Sequence, residues 1–463
     1  MLKIKLILAV LVSLTLISCT KTYNPSKPEV VSKTKHEIRP EFKEARERAI
    51  QWLKSKIVPN ETVKDPLRFR KNLVLSYEIT PLTGASDEEL SFLYLYNRIS
   101  TYDNALSAIA LTMVQEYETA EKILDSLIRL VDLRGRIFFS YNTKNSWPRG
   151  VFDKDSMIRN GASAWVGYAF TFYLRARLLE DPDFFKKNPK FTSYLKIANR
   201  MAKQILKYQV KRKKDPRYGL FTGGENKIKF VKDPKTGKIT ETWEKTKIKW
   251  VSIEHNIDIY FFLRDLAFLS DGDSYKEEID LLKTSLLKKS FNPHLGQFNR
   301  GMRKDGPDPV RALDTASWGA MFALTTNELS KAEQCLNSTK FYLNKSGTIW
   351  GYKPYIDLLI YEDPKPNRAA YPEDPKKNWN DIEMVWSEGS LGVAMGALKM
   401  NQRSKAEKII EQILPMQNPN GGVSYSTVEI KYQFTKAPSA SGTAWLIMAI
   451  SALEDDRVKE LFW

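Results

Sequence analysis

Two kinds of helical pattern alternate along the chain. In the first, apolar positions recur every three or four residues with charged side chains opposite them: Glu41–Ile57, Glu118–Leu130, Phe191–Gln209, Tyr275–Lys288, Ser330–Leu343 and Ser404–Met416. That spacing predicts amphipathic helices lying on a core. The second kind is rich in small and aromatic residues and nearly free of charge past its opening turns: Tyr102–Leu111, Asn160–Ala169, the 253–269 stretch, Leu313–Ala323, Trp386–Leu398 and Ser439–Ala449. A helix that is apolar all round is buried on all sides. The pattern therefore predicts six buried and six amphipathic helices in strict alternation, with residues 60–90 irregular or short-stranded.

Five of the amphipathic helices are followed by a glycine and then aromatic residues: Gly135 to Phe138 and Tyr141, Gly219 to Phe221, Gly296 to Phe298, Gly347 to Trp350 and Tyr352, and Gly421 to Tyr425. These read as short β-like connections, each leading into a buried helix. An internal repeat this regular needs each hairpin to bury its face against the next. The pattern resembles the six-hairpin, or (α/α)6, toroids found in glycoside hydrolases, some polysaccharide lyases, sugar epimerases and terpene-cyclase relatives. The resemblance covers roughly residues 41–453 and is architectural, with no family-defining catalytic signature, so it implies a fold and leaves the reaction open. It makes residues 41–463 one all-α domain of six inner and six outer helices; an open solenoid of the same hairpins is the rival arrangement.

The first 40 residues follow another pattern. Lys3 and Lys5 precede an apolar run, Leu6–Leu16, and the run ends in Leu16-Ile17-Ser18-Cys19. This resembles a bacterial lipoprotein signal peptide spanning residues 1–19. The resemblance implies a lipid chain such as palmitate on Cys19, which would anchor the protein in a membrane of the cell envelope. Thr20 after the cysteine points to the outer membrane in a Gram-negative host. Residues 20–40, rich in Lys, Ser, Pro and Thr, read as a flexible tether.

Composition narrows the choice of chemistry. With 42% hydrophobic and 12% aromatic residues, the 463-residue chain has the material for a large core. Only Cys335 remains once Cys19 is lipidated, and there are three histidines, so no disulfide and no cysteine or histidine-rich metal centre is expected. No cofactor is implied; calcium held by carboxylates stays open. The net charge of +17 would suit an anionic polysaccharide or a lipid surface. The absence of any nucleic-acid motif, together with export, argues against nucleic acid. The basic runs Lys211–Lys214 and Lys227–Lys249 read as solvated loops. A monomer is expected.

If the ring closes, the starts of all six buried helices gather at one end, and the polar residues cluster there. Asp103, Glu254, Asp314 and Glu388 are the candidate catalytic carboxylates, since hydrolysis of a glycosidic bond needs one acid to protonate the leaving oxygen and one carboxylate opposite it. Glu254 is the expected general acid, with Asp103 or Glu388 as the base. Tyr102, Arg159, Asn160, His255, Asn256, Trp250, Trp350, Tyr352 and Trp386 are the expected sugar-binding residues, because aromatic faces stack on sugar rings while amides and charges bind hydroxyls. Ordinary structural roles compete with these assignments: Asp103, Asp314 and Ser441 are good capping types, and Trp165, Trp318 and Trp445 sit where core tryptophans sit. The expected activity is that of a carbohydrate-active, glycoside hydrolase-like enzyme. A lyase or epimerase acting through His255, or a lipoprotein that only binds glycan or a partner, is the alternative.

Overall fold

In the computed structural model, residues 34–59, 70–79, 95–143, 148, 156–236, 239–270, 272–360, 377–430 and 433–463 are described. The leader with Cys19, most of the tether, Trp147 and most of the 60–90 stretch lie outside them. The outer helices are α1 (Pro40–Ser55), α3 (Tyr117–Leu130), α5 (Pro189–Ile205), α7 (Lys276–Ser285), α9 (Leu329–Ser338) and α11 (Arg403–Ile413). The inner helices are α2 (Thr101–Met113), α4 (Asn160–Glu180), α6 (Ile253–Ser270), α8 (Leu313–Thr325), α10 (Ser387–Lys399) and α12 (Ala440–Glu454). Each inner helix packs against the next, and α12 returns to α2, so the ring is closed. The last inner helix also receives α1 on its outer side, which makes the alternative of an open solenoid untenable.

The inner helices are buried along nearly their whole length, whereas the outer ones bury only the stripe that faces inward. Close packing of the inner ring uses the absence of a side chain at particular places. A Cβ on Gly167 would stand 2.4 Å from the Phe262 ring, one on Gly392 2.5 Å from Trp318, and one on Gly319 2.6 Å from Phe298. Those distances are shorter than atoms tolerate, so aromatic residues of one element fill hollows left by glycine in the next.

A second device fixes the connections. The fourth residue of four inner helices holds a backbone N–H of the connection that precedes it: Asn104 accepts from Val74 at 2.7 Å, Asn256 from Phe221 at 2.7 Å, Ser390 from Tyr352 at 2.9 Å and Thr443 from Val423 at 2.9 Å. Asn104 and Asn256 also donate back to the carbonyls of Val74 and Phe221, closing both groups of one residue at once.

The axis at the far end is closed by aromatic rings. Trp463 stacks on Phe261 at 4.5 Å and lies beside Trp165 and Trp318, while Phe462 packs on Trp445. The Trp463 N–H donates to the Tyr168 hydroxyl at 3.1 Å. Among the described residues no helix is long and apolar enough to cross a membrane.

One expected loop is a sheet. Gly224–Lys232 and Ile239–Ile248 pair antiparallel, with an irregularity between Glu225 and Lys227. The run reads as solvated because of its lysines, but alternation in Lys227-Ile228-Lys229-Phe230 is the period of a strand. Cys335 is fully buried in α9, as its helical context suggests.

Candidate active site

The inner helices all start at the same end of the ring, and their register decides what faces its axis. Their second residues are Tyr102, Gly161, Glu254, Asp314, Glu388 and Ser441, and all six line one cavity of about 520 Å³. One turn further in, at the sixth residue, Trp165, Asp258 and Trp318 form part of its floor, as the i, i+4 relation of a helix requires. Asp103 and His255, each at the third residue, reach the same cavity from the side. The connections add a wall of rings: Tyr425 stacks on Phe434 at 5.3 Å, and Trp386 and Tyr77 meet Tyr425 edge-on.

No protein-family model and no curated protein matches the sequence. Solved structures do match in shape. A glycosidase variant in complex with glucose aligns with a TM-score of 0.57 at 7% identity, over 90% of this chain and 100% of that one. A D-mannose isomerase gives 0.54 at 10% identity, over 92% and 99% of the two chains. A cellobiose 2-epimerase from Bacillus thermoamylovorans gives 0.56 at 11% identity, over 90% and 99%. The fold is the (α/α)6 toroid.

In this toroid the four expected carboxylates, Asp103, Glu254, Asp314 and Glu388, share the cavity with a fifth, Asp258. Asp103, Asp314 and Glu388 do not act as caps: at α2, α8 and α10 no side chain caps the helix start, and the Ser439 hydroxyl, not Ser441, accepts from Gly442 at α12. Glu388 is the best anchored of them, accepting a hydrogen bond from the Tyr102 hydroxyl at 2.5 Å and a further one from Ser441. Asp103 is bonded by Ser76.

Burial holds these carboxyls above their ordinary range. Desolvation pushes Asp103 up to about 8 against the Ser76 bond, and the charge of Glu388 adds to it. Glu254 is pushed up to about 7, first by desolvation and then by Glu388. Glu388 also rises to about 7 by desolvation, although the Tyr102 and Ser441 bonds oppose it. Asp258 and Asp314 are raised by burial first and by their acidic neighbours second. Burial, and after it the Arg159 guanidinium, lowers His255 to about 4, which keeps the imidazole neutral.

Several polar atoms in the cavity have no hydrogen-bond partner: His255 Nδ1, both Asp258 oxygens, Asp314 Oδ1, and the indole nitrogens of Trp318 and Trp386. Trp165 and Trp318 lie close enough to Asp258 to favour its charged form, yet the Asp258 oxygens close no bond of ordinary geometry. Buried polar groups are nearly always bonded, so a concentration of unmet donors and acceptors around one hollow marks a place built for a polar ligand. Among the described residues, no group of three His, Cys, Asp or Glu side chains is placed to hold a metal ion.

Other expected site residues divide. Tyr102, Arg159, His255 and Trp386 line the cavity. Arg159 is itself held there by the carbonyls of Ile158, Glu225 and Asn226. Asn160 and Asn256 do not face it: Asn160 donates to the Thr222 carbonyl at 2.6 Å and Asn256 clamps Phe221, so both are structural. Trp350 lies 42% exposed on the strand Ile349–Tyr352, and Tyr352 is buried in the core. Trp250 lines a neighbouring cleft. Asp258, Tyr77, Tyr355, Tyr425 and Phe434 were not among the expected binding residues; for Asp258 the signal was present, since it stands four residues after Glu254.

Proposed function

We propose that the protein is a carbohydrate-active enzyme that hydrolyses a glycosidic bond in this cavity. The observation that supports the reading best is that carboxyls from separate inner helices, with aromatic rings and unbonded polar atoms around them, meet in one hollow. The similar solved structures include variants of a glycosidase changed at glutamate and at tyrosine, the residue types that meet here as Glu388 and Tyr102.

Glu254 is the general acid. Its carboxyl, pushed up to about 7, carries a proton in a good part of the molecules at neutral pH and gives it to the glycosidic oxygen as the bond to the anomeric carbon breaks. Glu388, oriented by Tyr102 and Ser441, is the partner carboxylate. It takes a proton from the attacking water if the two carboxyls stand roughly 6.5–9.5 Å apart, and attacks the carbon itself if they stand roughly 5 Å apart. Asp103, held near 8, keeps its proton and serves better as a hydrogen-bond donor than as a base. The lipidated Cys19 belongs to the same proposal, holding the toroid at the surface of a cell-envelope membrane.

A second reading rests on His255, whose neutral ring lines the cavity and carries a buried Nδ1 without a bond, so that the imidazole can accept a proton from carbon. That chemistry gives an epimerase, isomerase or lyase. One set of assays tests both. Purified protein is incubated with neutral and uronate-containing oligosaccharides, and new reducing ends, unsaturated products and changed sugar configuration are followed. New reducing ends lost in Glu254→Gln support hydrolysis; epimer or unsaturated product lost in His255→Gln and retained in Glu254→Gln replaces it.

A further inference from the structure

Beside the carboxylate cavity, and sharing Tyr355 and Gln433 with it, lies a cleft of about 640 Å³ whose lining has the opposite charge. Arg217, Lys249, Arg300, Arg303 and Lys304 line it, and Asp308 is the one acid on its wall. The three arginines are each tied to a carboxylate. Arg217 is fixed by Asp215, at 2.7 Å and 2.9 Å, and by the Lys249 carbonyl. Arg300 and Arg303 share Asp308, at 2.8 Å and 3.6 Å. Lys249 and Lys304 are exposed, and neither makes an ion pair with a described residue; the charge of Lys304 also reaches Asp215.

The cleft has a rigid aromatic face as well. Trp250 packs so tightly on the strand Gly301–Arg303 that a Cβ on Gly301 would stand 2.5 Å from its indole. Tyr355 stands at the junction of the two spaces. Lys249 and Lys304 attract an anion to the second space, whereas burial favours the uncharged form of the carboxyls in the first. A sugar chain lying across Tyr355 would place an acidic ring beside Trp250.

We infer that the basic cleft is a subsite for a sugar residue bearing a carboxylate or sulfate, so that the substrate is an anionic oligosaccharide. The inference rests on the reading of the adjoining cavity as a sugar-cleaving site. It is tested by calorimetric titration of the full chain carrying Glu254→Gln, which binds sugars without consuming them. The probes are a hyaluronan tetrasaccharide for uronate, a sulfated carrageenan tetrasaccharide for sulfate, and cellotetraose as the neutral control. At about 20 mM salt at least one anionic probe should bind about tenfold more tightly than cellotetraose, and the preference should shrink at about 500 mM salt. Adding Lys249→Gln and Lys304→Gln should cut the ratio of anionic to neutral affinity about fivefold. Equal binding of all three probes, no binding of either anionic probe, or a preference that survives the lysine changes overturns the subsite. If the preference appears and depends on the lysines while the unsubstituted protein cleaves none of the probes, the subsite stands and the hydrolytic reading falls.

Discussion

In the proposed mechanism Glu254 and Glu388 serve activity at the expense of the fold, because both carboxyls are buried. A carboxyl whose folded pKa is raised contributes stability fully at low pH and loses it as pH climbs through the folded value. For this pair the window runs from 4.5 to about 7. Asp103 acts in the same direction up to about 8, while His255, held near 4, acts in the opposite one. Three carboxyls outweigh one imidazole, so the thermal midpoint should rise as pH is lowered from 7 to about 5. Replacing Glu254 or Glu388 by Gln should flatten that slope and, because the amide carries no charge to desolvate, leave the protein as stable or up to about 2 kcal/mol more stable at pH 7. Turnover should fall at least about 10²-fold. A large loss of stability on melting would mark both as structural ion-pair partners. Gly161 gives a second check, because a Cβ there would stand 2.3 Å from the His255 ring. Gly161→Ala should displace the imidazole and cut activity about tenfold while melting shifts by less than about 1 kcal/mol, since Ala favours the helix. At this scale the sequence is a fair guide to acids and a poor one to aromatics. Glu254, Asp314 and Glu388 are conspicuous because each puts a charge in the first turn of a helix rich in apolar residues, whereas nothing in Trp350 or Tyr352 distinguishes a ring that faces solvent or core from one that faces a ligand.

The elements were more legible than their partners. Small and aromatic residues at every turn mark the inner helices, and the second residue of each aligns without any alignment of sequences. The clamp at the fourth residue is harder to see, since Asn104, Asn256, Ser390 and Thr443 differ in chemistry and share only a position. Asn256 looked like a sugar ligand because it sits beside Glu254 and His255, but a helix turns by about 100° per residue, which carries it off the axis. Asn256→Ala should cost about 2–4 kcal/mol in denaturant unfolding, because it strands the N–H and C=O of Phe221 in the core. Full stability in that variant would mean water replaces the clamp and the residue is free for another task. The hairpin Gly224–Lys232 and Ile239–Ile248 is hidden in the sequence by its own charge, as lysine on a strand resembles lysine in a loop until its alternation is counted.

For the molecule as a whole, ring closure could only be conjectured from repeats, since the same hairpins would serve an open solenoid. It is settled by α12 receiving both α1 and α2. Nothing in the helical pattern marks Phe462 and Trp463 as residues of the axis. Trp463 is 3% exposed and touches helices on several sides of the ring. Trp463→Ala should therefore cost about 3–5 kcal/mol in urea or guanidinium unfolding. A cost near zero would show that the inner helices close the axis by themselves. With tryptophans beneath the carboxyls and these two rings beneath the tryptophans, the toroid is a cup rather than a pipe. Under the proposed hydrolysis a long glycan could not be threaded through the ring from one side to the other, and product would leave on the side from which substrate came.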